Sequence, residues 1–206
     1  MTPERFSEGM TYEDFKNQMT RNQERFAANE RQFHIDPVDL AAFQNLPEPL
    51  SVMVLAEDWC GDVIDNLPIL GRIAEESGNL KLRIFLRDQN ADLMDQYLNQ
   101  GQFRSIPVFA FFDDLWTERG RFIERPQSVT DRRRRLRDEL FAEHPEFGSS
   151  DTPISQLPEE VRNQIIEANS AWREEWKADD NRQVVRELRD IVQSSPTPSA
   201  DSGNAE

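Results

Sequence analysis

The chain has 206 residues, of which 37% are hydrophobic, 31% charged and 9% aromatic, enough apolar material for one full-sized domain with additions. Its 39 acidic against 24 basic side chains give a formal charge of -15, so phosphate backbones repel it and nucleic-acid binding is not expected. A single cysteine, Cys60, excludes an internal disulfide and a multi-cysteine metal site; with His34 and His144 far apart in sequence, neither a metal nor a cofactor is expected.

The opening MTPERFSEGM has no apolar segment of the kind a secretory leader needs, and the run Ile106 to Phe112 is too short to cross a bilayer. A cytoplasmic protein without membrane contact is therefore expected, in a reducing compartment that keeps a lone thiol reduced. Residues 1–49 read as a helical extension. TYEDFKNQMTRNQERF sets Tyr12, Phe15, Met19 and Phe26 at roughly helical spacing, with Thr11 and Asp14 placed to cap the start. A second short helix begins after Asp36 with Pro37 at its first position, carries Leu40, Phe43 and Leu46, and stops at Pro47 and Pro49.

Residues 50–145 alternate strand and helix. Ser51 to Ala56 is a short apolar run with β-branched residues, the pattern of a buried central strand. Asp62 to Glu76 gathers Val63, Ile64, Leu67, Leu70, Ile73 and Ala74 on one helical face, with Pro68 inside it. Leu80 to Leu86 reads as a strand, Asp92 to Leu98 as a helix, and the segment after Pro107 as a third strand. Trp116 to Arg125 pairs with that strand across a turn at Asp113 and Asp114. Ser128 to His144 is a helix whose SVTD opening has capping-box spacing, with Gly148 beyond its end. The whole is an α/β pattern with a mixed sheet. Residues 146–193 form a C-terminal helical extension, a long helix striped by Val161, Ile165, Ala168, Trp172, Trp176, Val184, Leu188 and Ile191. That stripe fits docking on the domain or, next, a homodimer contact. Residues 194–206 have the composition of a disordered tail.

The chemistry concentrates at Cys60, which follows an apolar strand and Trp59 and opens an amphipathic helix. Unpaired N–H groups and the helix dipole stabilise a thiolate there, and the thiolate is the form that attacks disulfides. Glu57, Asp58, Asp62 and Asp65 surround the thiol with negative charge in sequence and oppose that effect. Asp58 and Asp62 are thus candidates for tuning the thiol, though Asp62 also simply suits a helix N-terminus.

Three motifs in order, Ala56-Glu57-Asp58-Trp59-Cys60-Gly61, Arg87-Asp88-Gln89-Asn90 and Arg104-Ser105-Ile106-Pro107, resemble those of the thioredoxin family over roughly residues 50–141. The resemblance implies a thioredoxin-like fold, a central mixed sheet flanked by helices, here with an N-terminal helical extension and a long C-terminal helix. The added N-terminal helices are also similar to those of a bacterial subgroup of thioredoxin-like proteins. By the same resemblance Pro107 is cis and lies beside Cys60, Ile106 offers backbone to a substrate chain, and Trp59 and Gly61 flank the groove. The chain departs from the family twice. Val63 stands where the second cysteine belongs, and Val54 where a buried acid belongs. Dithiol reduction is therefore not expected.

Two readings of Cys60 remain. In the first it is a monothiol oxidoreductase nucleophile that attacks a disulfide or mixed disulfide on a protein substrate and is released by a low-molecular-weight thiol, with the acidic rim disfavouring glutathione. In the second it is incidental on a protein-interaction module, as the missing cysteine and acid suggest. A thiol peroxidase is a third, weaker reading, because no arginine precedes Cys60 nearby. Trp59 flanks a groove or merely packs on its loop, and Pro107 has the plainer alternative of starting an edge strand. The run Arg132 to Arg135 reads as a solvated helix with ion pairs to Asp131, Asp138 and Glu139, and His144 as a partner for the helix C-terminus.

Overall fold

The computed structural model describes residues 1–194; the expected tail lies, from residue 195 onward, outside the described residues. Its centre is β1 (Leu50–Ala56), in which every side chain except Ser51 is buried. A strand with no polar face needs partners on both edges and cover on both faces. It pairs in parallel with β2 (Leu80–Leu86), from Leu50 opposite Leu80 to Ala56 opposite Leu86. On its other edge it pairs antiparallel with β3 (Val108–Phe112), which pairs antiparallel with β4 (Glu118–Ile123). The sheet order is β2-β1-β3-β4, the mixed α/β arrangement that the sequence leads one to expect.

The crossover from β1 to β2 is α5 (Gly61–Ser77), ended by Gly78 in the left-handed region at φ 69°. Its sequence suggests one apolar face, but Asn66, Pro68, Ile69 and Gly71 are buried as well. A helix buried around most of its circumference needs a second layer. That layer is α3 (Gln23–Gln32) and α4 (Pro37–Gln44), both packed on α5. Asn29, buried on α3, donates to the Ile64 carbonyl at 2.8 Å, and Arg25 meets Asp65 at 2.5 Å.

The N-terminal segment also closes the edge of the sheet. After α1 (Pro3–Ser7), Met10 exchanges backbone hydrogen bonds of 2.9 and 2.8 Å with Ile84 of β2, which covers an edge that would otherwise invite pairing. Next comes α2 (Tyr12–Gln18), opened by the expected capping box of Thr11 and Asp14. The single helix expected through Phe26 is in fact two. Met19 leaves the helical region at ψ 136° and Asn22 turns the chain at φ 56°, which releases the Thr20 and Arg21 N–H groups for another partner, described below.

Asp36 caps α4 ahead of Pro37, as its sequence suggests. The helix expected over Asp92 to Leu98 shrinks to one turn, α6 (Ala91–Met94), after a 3-10 turn at Arg87–Gln89. Beyond it, Gln100 and Gly101 take positive φ and Asn99 and Phe103 bond to each other through their backbones in a tight turn. The next helix, α7 (Gln127–Glu143), lacks the expected SVTD capping box: Pro126 occupies the cap position and no side chain bonds the first turn.

The last helix is α8 (Glu159–Gln193), and the described residues form two compact units, Pro126–Gln183 and the rest of them. In the larger unit Val184, Val185, Leu188 and Val192 of α8 join the main core, and Arg189 pairs with Asp39 at 2.7 Å. In the smaller unit Phe141, Phe147, Leu157 and Ile165 form a separate core. There Arg132 stacks over Trp176 and pairs with Asp179 and Asp180 of α8, and Arg133 also reaches Asp180 at 3.6 Å. No helix among the described residues is long and apolar enough to cross a membrane, and no cluster of three or more metal-ligating side chains occurs among them.

Gly71 marks the tightest contact between the N-terminal extension and α5. A Cβ there would stand 2.3 Å from the Tyr12 ring, so Gly71→Ala is expected to destabilise the protein by about 1–3 kcal/mol in urea unfolding. Tyr12→Ala in the same background should recover part of that loss; additive losses would contradict the contact.

Candidate functional site

The site forms where β1 ends and α5 begins. Cys60 is the residue before the first turn of α5, with extended backbone at φ -85° and ψ 120°, so its side chain sits at the positive end of the helix. The thiol is half-buried and donates to the Ile106 carbonyl at 3.4 Å. The Ile106–Pro107 peptide is cis and both residues are buried. Gly61, half-exposed, begins α5 next to the sulfur.

Trp59 is 41% exposed, and the Arg87 guanidinium stacks over its ring at 4.7 Å. Arg87 also donates to the Arg104 carbonyl at 3.2 Å, which ties the Trp59 face to the loop before β3. On that loop Phe103 is 56% exposed. Exposed aromatic side chains thus stand on the loop that carries Cys60 and on the loop before β3.

The four carboxylates that surround Cys60 in sequence each have a partner of their own. Asp58 accepts from the Thr20 and Arg21 N–H groups at 2.6 and 3.1 Å and from the Thr20 hydroxyl at 3.1 Å. Burial opposes its charge, yet these donors hold its carboxyl below the usual range. Asn22 adds a bond from its side-chain amide to the Asp58 carbonyl at 2.8 Å. Asp65 pairs with Arg25, and Glu57 accepts from the Asp88 N–H at 2.8 Å. Burial raises the Glu57 carboxyl above its usual value. Asp62 is 5% exposed and pairs with Arg125.

Arg125 is the residue that sequence spacing misses. It lies far from Cys60 in the chain and arrives through topology. The antiparallel pairing of β3 with β4 sets Ile123 opposite Val108, and the Glu124 N–H then donates to the Pro107 carbonyl at 2.7 Å. Glu124 takes φ 65°, held by Asn66 on its carbonyl at 2.9 Å and Asn99 on its carboxylate at 2.9 Å, and delivers Arg125 to the first turn of α5. Burial disfavours the Arg125 charge, but Asp62, then Glu124 and then Cys60 outweigh it and hold the guanidinium above its usual value. The only local signal was an arginine just past the end of a β-hairpin strand, which many surface hairpins share.

A cysteine at the start of the helix that follows the central strand, facing a cis X–Pro peptide, defines a thioredoxin-fold protein. A family model described as Thioredoxin matches residues 9–137, well over half of the chain, and the chain belongs to that family. The match starts within the N-terminal extension, which the three motifs alone leave out. Among solved structures, the chain is similar to a Pseudomonas aeruginosa protein described as of unknown function, with a TM-score of 0.64 and 20% identity over 91% of this chain and 94% of that one. It is also similar to an HIV epitope-scaffold, with a TM-score of 0.64 and 18% identity over 92% of this chain and 96% of that one. Both likenesses speak to the fold. No curated protein matches the chain.

The Asp58 contacts generate a pH-dependent prediction. A carboxyl whose folded value is depressed contributes stability that is present above its unfolded value and lost as pH falls through the folded value. Asp58→Asn should therefore lower the urea midpoint at neutral pH, by about 1 kcal/mol, with a deficit that shrinks toward pH 3. A deficit that stays constant with pH would contradict this role.

Proposed function

We propose that the chain is a monothiol thiol–disulfide exchange protein that acts through Cys60. The observation that carries this reading is the position of the sulfur: before the first turn of α5, half-exposed, and beside the Ile106 carbonyl at the mouth of the site. Helix N–H groups favour the thiolate, and burial against Ile106 and Pro107 orients it.

In the exchange the Cys60 thiolate attacks one sulfur of a disulfide or mixed disulfide on a substrate protein. The new bond joins Cys60 to that sulfur, the old S–S bond breaks, and the departing sulfur leaves as a thiolate that takes a proton from water. The position of a second cysteine is Val63, buried on α5. A low-molecular-weight thiol from solution therefore completes the cycle: its thiolate attacks the substrate sulfur of the mixed disulfide, a new disulfide joins the two, the bond to Cys60 breaks, and Cys60 returns as a thiolate. Trp59 and Phe103 would seat apolar side chains of the substrate, while the Ile106 and Pro107 backbone borders its extended chain. Because Asp62 and Asp65 are paired with Arg125 and Arg25, the repulsion of an anionic thiol such as glutathione is weaker than the sequence suggests. A reducing cytoplasm is the compartment this chemistry suits.

The test is turnover of a peptide mixed disulfide with a small thiol as reductant. Wild-type protein should accelerate release and Cys60→Ser should fall to the uncatalysed rate, with mercaptoethanol and glutathione both serving as resolving thiol. Equal rates for Cys60→Ser and wild type would overturn the reading and favour a module that binds partners without redox chemistry.

A further inference from the structure

Thiolate formation at Cys60 faces an opposing local bond. The thiol donates to the Ile106 carbonyl, and ionisation gives up that hydrogen bond and leaves two electron-rich atoms in contact. The charged groups around the site come from four places. Asp62 lies on α5, Glu57 and Asp58 on the loop from β1, Arg87 and Asp88 after β2 with Arg104 before β3, and Glu124 and Arg125 after β4. Asp58 is turned to Thr20 and Arg21, Glu57 to the Asp88 backbone, Arg104 to Asp95, and Arg87 to Trp59 and Asp88.

Arg125 is different. Its side chain is 19% exposed and Asp62 beside it 7% exposed, so water screens neither strongly. Its Nε is buried without a hydrogen-bond partner, so the two carboxylates do not use up the guanidinium. Its partner Asp62 lies in the first turn of α5, two residues beyond Cys60 at the N-cap, so the guanidinium is held at the same helix end as the thiol.

We infer that Arg125, delivered by the β4 end and aimed by Asp62, is the positioning residue whose charge holds Cys60 in its thiolate form. Asp62 sets the orientation and also tempers the effect, since its own negative charge acts on the sulfur in the opposite sense. The pair is thus a built-in setting for the reactivity of the thiol, and the inference rests on the reading of Cys60 as the attacking group.

A plain structural bridge between β4 and α5 makes a different prediction, because either partner's removal would then harm stability alike and leave the thiol's titration in place. The experiment follows the thiolate by its ultraviolet absorbance across pH in full-length wild type, Arg125→Gln, Arg125→Lys and Asp62→Asn, with circular dichroism on each. Arg125→Gln should move the titration midpoint to higher pH and slow alkylation at pH 7 by about tenfold, and Arg125→Lys should restore most of it. Asp62→Asn should move the midpoint the other way. Folded variants whose midpoints stay at the wild-type value, or shift together in one direction, would overturn the inference. Mixed-disulfide turnover in the same samples separates the two ideas. Wild-type turnover with unmoved midpoints removes Arg125 alone, while moved midpoints without wild-type turnover sustain Arg125 and remove the exchange reading.

Discussion

The structure depends on the burial of β1. Val52, Met53, Val54, Leu55 and Ala56 have no measurable contact with solvent, so the strand must be paired on both edges and covered on both faces. The parallel pairing with β2 requires a crossover, and α5 supplies it as a helix buried almost all round. The turn between β1 and α5 is then fixed at both ends by packing. Cys60 occupies the one position where that turn presents a side chain to the helix N-terminus.

The remaining elements hold that turn still. The break between α2 and α3 frees two N–H groups that engage Asp58, and Asn22 engages its carbonyl, so the loop before Cys60 is gripped by the N-terminal extension. Asn29 and Arg25 fix the first turns of α5 from the same side. From the opposite side the β3–β4 hairpin brings Pro107, Glu124 and Arg125 together through one backbone bond and three side-chain anchors. The extension is therefore part of the site's scaffold. This agrees with a family match that begins within it, at residue 9.

Much of this was legible in the sequence, because it is encoded locally. The apolar run of β1, the stripe of α5, the Thr11 capping box and the Asp36–Pro37 start each specify an element through their immediate neighbours, and the three motifs mark the thioredoxin-like fold. The failures have a common cause. The helix through Phe26 broke because Thr20 and Arg21 gain more from Asp58, distant in sequence, than from continuing a helix. The helix after Asp92 ends at Met94, and the chain goes on through turns to the pair closed between Asn99 and Phe103. The partners of the acidic rim, Thr20 and Arg25, Asp88, and Arg125, come from three stretches of chain distant from Cys60 in sequence. Arg125 was invisible for the same reason: hairpin register, and no spacing rule, brings it to α5.

The proposed exchange chemistry requires Cys60 to be more ionised in the folded protein than in an unfolded chain. The direct measurement is the pH dependence of Cys60 alkylation by iodoacetamide in the folded protein, set against the same protein in strong denaturant. The account predicts a folded-state midpoint below the unfolded one, with reaction persisting under native conditions. A midpoint equal to or above the unfolded value, or alkylation only after unfolding, would contradict it.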